Sequence, residues 1–406
     1  MKELHGAGQR AWSGPSLAEF IAMMAALMAA NAIAIDSMLP ALPAIGAALD
    51  VAEENRRQLV ITAYLLGFGA AQLFYGPLSD RFGRKRILVA SLLCYAIFAL
   101  LAALAASFEL LLAARLCQGL SAAATRVLVV SVVRDRFHGH TMARVMSITF
   151  IVFMLVPVLA PAFGQAILAL AGWRAIFILL AAYALMVLCW TALRLPETLP
   201  PEKRRPLSLI AVKEAMHETL THRLSIGNTV ALTLVMGGLF SFINSIQQIV
   251  FDVFHRPELM AVVFASIAGP MALTSYLNSR FVERLGARRI MLAGLGMFSG
   301  IAAAHLAVSY FVGENLQTFV ILQALTMACF GLISANLGAI AMQPLGHVAG
   351  TASSVQGLIT TVGGALIGLF VGQHFDGTTV PLLTGFALCG FAAMSLAIWT
   401  NRTVSS

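Results

Sequence analysis

The chain has 406 residues, 59% hydrophobic and only 11% charged, where a soluble domain carries roughly 25% charge. Surface still grows with mass, so a soluble fold of this size cannot hide that much apolar side chain; a soluble enzyme, a disordered chain and a nucleic-acid-binding domain are excluded. The net charge of +8 does not reverse this, because the basic residues sit between apolar runs rather than on one face, and a polytopic helical membrane protein remains.

Polar residues Met1 to Ser16 precede the first apolar run, 17–39. That run is longer than a signal-peptide core and has no clear cleavage site, so it reads as a retained span. Apolar runs able to cross roughly 30 Å of hydrocarbon follow at 58–79, 87–107, 109–133, 143–169 and 173–193. Six more follow at 225–250, 259–280, 289–311, 316–342, 349–373 and 379–400, which makes twelve. Between the sixth and seventh, Pro196, Pro200, Pro201 and Pro206 forbid a continuous helix. Leu207 to Leu220 then reads as an amphipathic stretch with Leu209, Val212, Met216 and Leu220 on one face, resting on a membrane surface. The predicted organisation is a six-helix half over 1–193, a cytoplasmic linker over 194–224 and a second half over 225–406. Placing both termini inside puts 20 of the 26 Lys and Arg residues on the cytoplasmic side, the bias that positive-inside insertion produces. The five cysteines all lie inside apolar runs, so neither disulfides nor a metal site is expected.

An internal repeat supports the division. Gly76-Pro-Leu-Ser-Asp80-Arg81-Phe-Gly83-Arg84-Lys85-Arg86 follows the second span, and Ser279-Arg-Phe-Val-Glu283-Arg284-Leu-Gly286-Ala287-Arg288-Arg289 follows the eighth. The offset is 203 residues, half of the 406. Short cytoplasmic loops collect arginine in any case, but acid, arginine, glycine and basic cluster recur in one order, as in a duplicated transporter.

These residues carry a family resemblance. The Gly76 to Arg86 stretch resembles the signature loop of the major facilitator superfamily, with matches at Gly76, Asp80, Arg81, Gly83, Arg84, Lys85 and Arg86. Arg115, Gln118 and Gly119 resemble its membrane-embedded arginine motif. Pro157, Ala160-Pro161 and Gly164 resemble the fifth-span motif of drug–proton antiporters, with alanine where a glycine is usual. Asp36, Pro40 and Pro43, with Arg134-Asp135, are similar to the Bcr/CflA type of multidrug exporter. The resemblance implies an all-α major facilitator fold of two pseudo-symmetric six-helix halves. It also implies that an acidic residue at Asp36 lies in the central cavity and that Arg115 couples protonation to conformation. The second acid that some relatives carry two turns earlier is absent; Met23 to Met28 is apolar apart from its sulfurs.

The residues themselves support candidate roles. An aspartate within a span costs several kilocalories per mole unless it faces protein or water. A carboxylate escapes part of that cost by taking a proton, as a proton carrier must; the alternative for Asp36 is an end-of-helix aspartate near the headgroups. Arg115 and Arg126 are 11 residues apart, close to three turns, and so share a face about 16 Å apart. For Arg115 the alternative is a structural bridge to backbone carbonyls. For Arg126, binding of an anionic or carbonyl group and snorkelling to the cytoplasm stand side by side. Asp80, Arg84, Arg134, Asp135 and Glu283 are candidates for pairs that latch the cytoplasmic side, against plain topology signalling, and Ala287 leaves the second half with the weaker latch. Pro157, Pro161 and Gly164 predict a bent helix packed against the other half near Gly269-Pro270 or Gly363, Gly364 and Gly368. Tyr64, Phe68, Phe240, Asn244, Gln247, Gln248, Gln323, Asn336 and Gln356 are candidate cavity residues, and His305 reads as a hydrogen-bonded core histidine.

The expected function is proton-coupled export of small lipophilic or drug-like compounds by a monomer in a bacterial inner membrane. Its partners are lipids, protons and cargo, with no cofactor and no nucleic acid. A major facilitator transporter of a sugar, siderophore or metabolite is the alternative, and a non-transporting sensor or scaffold a more distant one. Paired acids or histidines at catalytic spacing are lacking, so enzyme chemistry is not expected.

Overall fold

The computed structural model describes residues 14–204 and 209–401. Both expected cytoplasmic termini, Arg205, Pro206 and the start of the amphipathic stretch at Leu207 lie outside the described residues, as do the side chains of Leu209 and Val212. The helices in chain order are α1 Leu17–Asp36, α2 Leu42–Ala48, α3 Leu59–Phe82, α4 Arg84–Ala103, α5 Phe108–Arg136, α6 Gly139–Ala171 and α7 Trp173–Arg194. Then come α8 Leu209–Thr221, α9 Arg223–Gln248, α10 Met260–Leu285, α11 Ala287–Phe311, α12 Leu316–Met342, α13 Ala349–Gln373 and α14 Val380–Asn401. No strand occurs among the described residues. Among the described residues, ten segments are long and apolar enough to cross a membrane; one of them, Leu316–Gln373, contains both α12 and α13, and Leu155–Ala171 of α6 is a shorter apolar stretch. With α12 and α13 counted apart and α6 included, the twelve expected spans are present.

Local chemistry starts and stops these helices. Ser16, Ser107 and Asn315 each accept a bond from the backbone N–H three residues on, at 3.3, 3.2 and 2.9 Å, the usual N-cap arrangement. Gly83 (φ 99°) and Gly286 (φ 83°) end α3 and α10 in a conformation that side chains rarely adopt. They occupy equivalent places in the repeated loops. Two non-glycine residues in the left-handed region, Asp50 (φ 51°) and His255 (φ 53°), fall at matching points before α3 and α10. The backbone therefore repeats as well as the sequence.

Packing forms two groups. In the first, α3 lies on α5, α4 on α5 and α7, and α1 on α6; in the second, α9 lies on α12, α13 and α14, and α10 and α11 on α12. The groups meet through α3 on α13 and α6 on α10. Outward-facing side chains such as Leu104, Leu170, Leu193 and Phe311 are exposed and apolar, as lipid contact requires. The tightest helix contact is α3 on α5. A Cβ on Gly67 would sit 2.1 Å from the Leu116 carbonyl oxygen, and one on Gly119 would sit 2.0 Å from that of Tyr64. Helix α6 packs on α10 of the second group, as its motif suggests, but the closest approach at Gly164 is a different one. The ideal Cβ of Gly164 lies 2.1 Å from the Ser37 oxygen, so α6 closes on the end of α1. Gly368 does the same for α13 on α9, at 2.8 Å from the Phe240 carbonyl carbon. These four glycines seal each group internally because van der Waals packing rewards close backbone approach where lipid offers no hydrophobic drive, while Gly69, Gly357 and Gly372 stand on the seam between the groups.

His305 is fully buried, and its Nε2 lies 2.9 Å from Glu314 Oε2. Thr379 donates to the other carboxylate oxygen. Burial pushes the Glu314 carboxyl up, but bonds from His305, Thr379 and Ser309 outweigh it and hold the group below its ordinary value. A depressed folded value contributes stability above the unfolded value, and that contribution is lost as pH falls through the folded one. Glu314→Gln should accordingly lower the melting temperature at neutral pH and narrow the difference from wild type under acid, as read by thermal unfolding in detergent. Gly119→Val should cost roughly 1–3 kcal/mol or more, because the Tyr64 backbone cannot give way; a melting temperature equal to wild type would contradict the close approach of α3 and α5.

Candidate transport site

Helix α1 stops at Asp36. Pro40 follows, and the chain continues through a short 3₁₀ turn, Leu39–Ala41, into α2. The Ser37 backbone N–H and hydroxyl both donate to the Ile33 carbonyl, at 3.1 and 2.6 Å. Asp36 is 4% exposed and has no hydrogen-bond or ion-pair partner among the described residues. It is an end-of-helix aspartate, but one enclosed by protein, because Gly164 brings α6 against the next residue. Pro157 and Pro161 stand within α6, which nevertheless remains one continuous helix over 33 residues.

Arg115 is wholly buried. Its Nε donates to the Val60 carbonyl at 3.1 Å, Nη2 to the Ala34 carbonyl at 3.0 Å and Nη1 to Gln118 Oε1 at 2.8 Å. The guanidinium carbon lies 4.5 Å from the Tyr64 ring centroid and 5.8 Å from that of Phe177. One cation thus joins α1, α3 and α5 and touches α7. It forms no ion pair with Asp36; the link is through backbone, since Ala34 is two residues before the aspartate. The bridge to carbonyls, one of the two sequence readings, is physically present.

Beside it runs a chain of neutral bonds. Tyr64 donates to Asn31 Oδ1 at 3.0 Å, and Asn31 donates to Thr125 Oγ1 at 2.8 Å. Tyr64 is fully buried, with Phe68 stacked at 6.3 Å, so both rings pack inside the first group instead of facing an open cavity. Asn31 was missed from sequence; its signal is a lone amide in an apolar helix, five residues before Asp36. Arg126 follows Thr125 on α5. Its side chain is exposed and has no hydrogen-bond or ion-pair partner among the described residues.

The second-group candidates disperse. Phe240 packs beneath Gly364 and Gly368. Asn336 donates to Asn278 Oδ1 at 2.8 Å, an internal tie of α12 to α10. Gln248 bonds Asn55 and Gln58 at the junction of the groups, and Asn244 reaches Thr62 at 3.5 Å. Gln247 is buried. Gln323 is fully buried with neither amide atom bonded among the described residues, where Asn244 Oδ1 and the half-buried Gln356 Nε2 are likewise unpartnered.

At the signature loop, Arg84 is a hub. It meets Asp80 at 2.6 Å and Asp135 at 3.1 Å and donates to Ser79 at 2.5 Å, while its backbone N–H donates to Glu197 at 2.9 Å. Thr198 adds a bond to Asp135 at 3.2 Å. Every partner belongs to the first group or the segment just after α7, so the cluster clamps α3, α4 and α5 together and does not reach across to the second group. Glu283 is exposed, with no ion pair among the described residues. Arg81, Lys85 and Arg86 stand around the hub at the surface, and Arg134 points toward the second group, 3.9 Å from where a Gly350 Cβ would be. Gly76 faces Ser354 at 3.7 Å by the same measure.

Removing the Arg115 guanidinium leaves the Ala34 carbonyl at the end of α1 and the Gln118 amide oxygen without that donor, at about 1–3 kcal/mol for each unsatisfied group, while the Val60 carbonyl keeps its helical bond. Arg115→Leu should therefore lower the melting temperature in detergent, and Arg115→Lys should restore only part of the loss, since an ammonium lacks the planar fork. Wild-type melting by Arg115→Leu would make the bridge energetically empty.

The matching proteins agree with this architecture. The Major Facilitator Superfamily profile matches residues 20–368. The chain is 30% identical over 370 residues to the uncharacterized MFS-type transporter YdgK of Bacillus subtilis, covering 90% of each chain. It is 29% identical over 403 residues to a bicyclomycin resistance protein homolog of Haemophilus influenzae, covering 95% of this chain and 97% of that relative. It is also 29% identical over 379 residues to the multidrug resistance protein MdtL of Salmonella heidelberg, covering 91% and 93%. Among solved structures, a D-xylose–proton symporter superposes with a TM-score of 0.71 at 15% identity, covering 95% and 97%, and the human organic anion transporter MFSD10 with 0.64 at 20%, covering 95% and 99%. With a family match across most of its length and helices packed in two related groups, the chain belongs to the Major Facilitator Superfamily.

Proposed function

We propose that the protein is a proton-coupled exporter of small lipophilic or drug-like compounds, working by alternating access as a monomer in a bacterial inner membrane. The observation that carries this reading is Asp36: a buried carboxylate with no side-chain partner among the described residues, set where α1 breaks and two residues from a carbonyl held by Arg115. A proton on Asp36 removes a charge at a helix end whose position the Arg115 bridge governs, so protonation and packing of α1 are linked. The names of the bicyclomycin and multidrug resistance relatives favour drug-like cargo. The basic loops put both termini in the cytoplasm, and 1–193 and 225–406 act as the two moving halves joined by 194–224. Arg126, exposed on the Arg115 face of α5, adds a cation that cargo meets.

A second reading, transport of a more polar solute such as a sugar, siderophore or metabolite, draws on the unpartnered amides of Gln323, Asn244 and Gln356. A panel of lipophilic and polar compounds in energised everted vesicles separates the two. Uptake of lipophilic compounds that an uncoupler abolishes is the expected result. Uptake that survives the uncoupler would end the proton-coupled reading, and uptake of polar solutes alone would favour the second. Asp36→Asn keeps shape and hydrogen bonding but cannot titrate. It should lose uphill uptake while keeping downhill exchange, and substrate-induced proton release in detergent should fall sharply. Equal release from both proteins would remove Asp36 from the cycle.

A further inference from the structure

Most of the polar bonds that join the two helix groups gather at one end, that of residues 55–62, 244–248 and 372–375; further along α3, Gln72 Nε2 adds a single bond to Thr361 Oγ1 at 3.1 Å. Asn55 Nδ2 donates to the carbonyls of Gln373 and Phe375, at 3.1 and 3.0 Å, and Gln373 Nε2 donates back to the Asn55 carbonyl at 2.6 Å. Gln58 Nε2 donates to the Gly372 carbonyl at 3.1 Å and to Gln248 Oε1. Gln248 Nε2 closes the ring on Asn55 Oδ1 at 2.7 Å. One turn inward, Asn244 reaches Thr62. None of these side chains ionises. Gln58 and Gln248 are 1% and 3% exposed, so the bonds are shielded from competing water. A Cβ on Gly372 would lie 2.0 Å from the Gln58 amide oxygen, so a side chain there would have to push that amide out of the ring.

The opposite seam carries a sparse counterpart. Gln165 Nε2 donates to the Pro257 carbonyl at 3.3 Å, joining α6 to the foot of α10 as Gln373 joins α13 to the foot of α3. Asn55, four residues before α3, and Pro257, three residues before α10, thus play the same acceptor role in the two repeats, but the full amide ring lies on the α3–α13 seam. The ion-pair hub at Arg84 lies at the other end of α3 and stays within one group.

We propose that Asn55, Gln58, Gln248 and Gln373 form a charge-free amide lock that holds this end of the transporter shut, with the α3–α13 seam as its strong side. Opening here requires α3 and the 54–58 turn to leave α9 and α13, exchanging the whole ring for bonds to water. The inference concerns the two groups alone and holds whether or not the proton-coupled reading is right.

The test uses the full-length protein purified in detergent, where neither cargo, proton gradient nor membrane orientation enters. With the accessible Cys94, Cys117 and Cys189 replaced by alanine, Thr62→Cys places a reporter thiol one turn beneath the lock, at a site 1% exposed. Maleimide labelling of this cysteine should be slow with the lock intact and about tenfold faster or more when Gln58→Leu and Gln373→Leu are added, as expected from losing several net-favourable hydrogen bonds. Gln165→Leu, on the sparse seam, should accelerate labelling far less. Thermal unfolding checks that each variant is folded, and Gln58→Met alone makes the same comparison if the double variant is not. Unchanged labelling in a folded Gln58 and Gln373 variant, or equal acceleration by Gln165→Leu, would overturn the lock.

Discussion

A guanidinium with no acidic partner among the described residues, shut inside an apolar helix bundle, has to find its hydrogen bonds in backbone carbonyls and neutral side chains. Arg115 finds them at Val60 and Ala34, and it lies over the face of Tyr64. Those two carbonyls belong to the start of α3 and the end of α1. Both helices are therefore positioned by a group on a third. The cost of leaving any of these atoms unbonded in a dry interior keeps the arrangement intact. The placement of Asp36 depends on it, because the aspartate sits two residues past the carbonyl that Arg115 holds.

The remaining polar groups divide between two mechanical roles. Around Arg84, Asp80 and Asp135 make a charged clamp that fastens α3, α4 and α5 into one rigid piece. At the far end of α3, neutral amides join one piece to the other. The division is physically sensible. Charge-assisted bonds are stronger and suit contacts that persist, while neutral amide bonds hold only a modest net advantage over water and suit contacts that form and break. Close glycine contacts at Gly67, Gly119, Gly164 and Gly368 belong with the first role, since each closes a seam within a group.

The twelve spans, the duplicated loops and the superfamily were readable from residue order because each depends on local properties: run length against membrane thickness, and one loop pattern repeated after 203 residues. Asp36 and Arg115 were readable for the same reason, since a charge in an apolar run is conspicuous without any partner. Partners were not. Which carbonyl Arg115 reaches, that Gly164 makes its closest approach to Ser37, and that Gln248 belongs to a junction with Asn55 while Gln323 stays unbonded among the described residues are set by helix rotation and depth. A sequence of nearly uniform hydropathy leaves those unmarked: α12 and α14 are apolar on every side, so no stripe tells which face turns inward. Residue order alone thus determined how many times the chain crosses and where charge stands along it, and only tertiary packing decided which polar atoms meet, because those meetings join residues far apart in the chain.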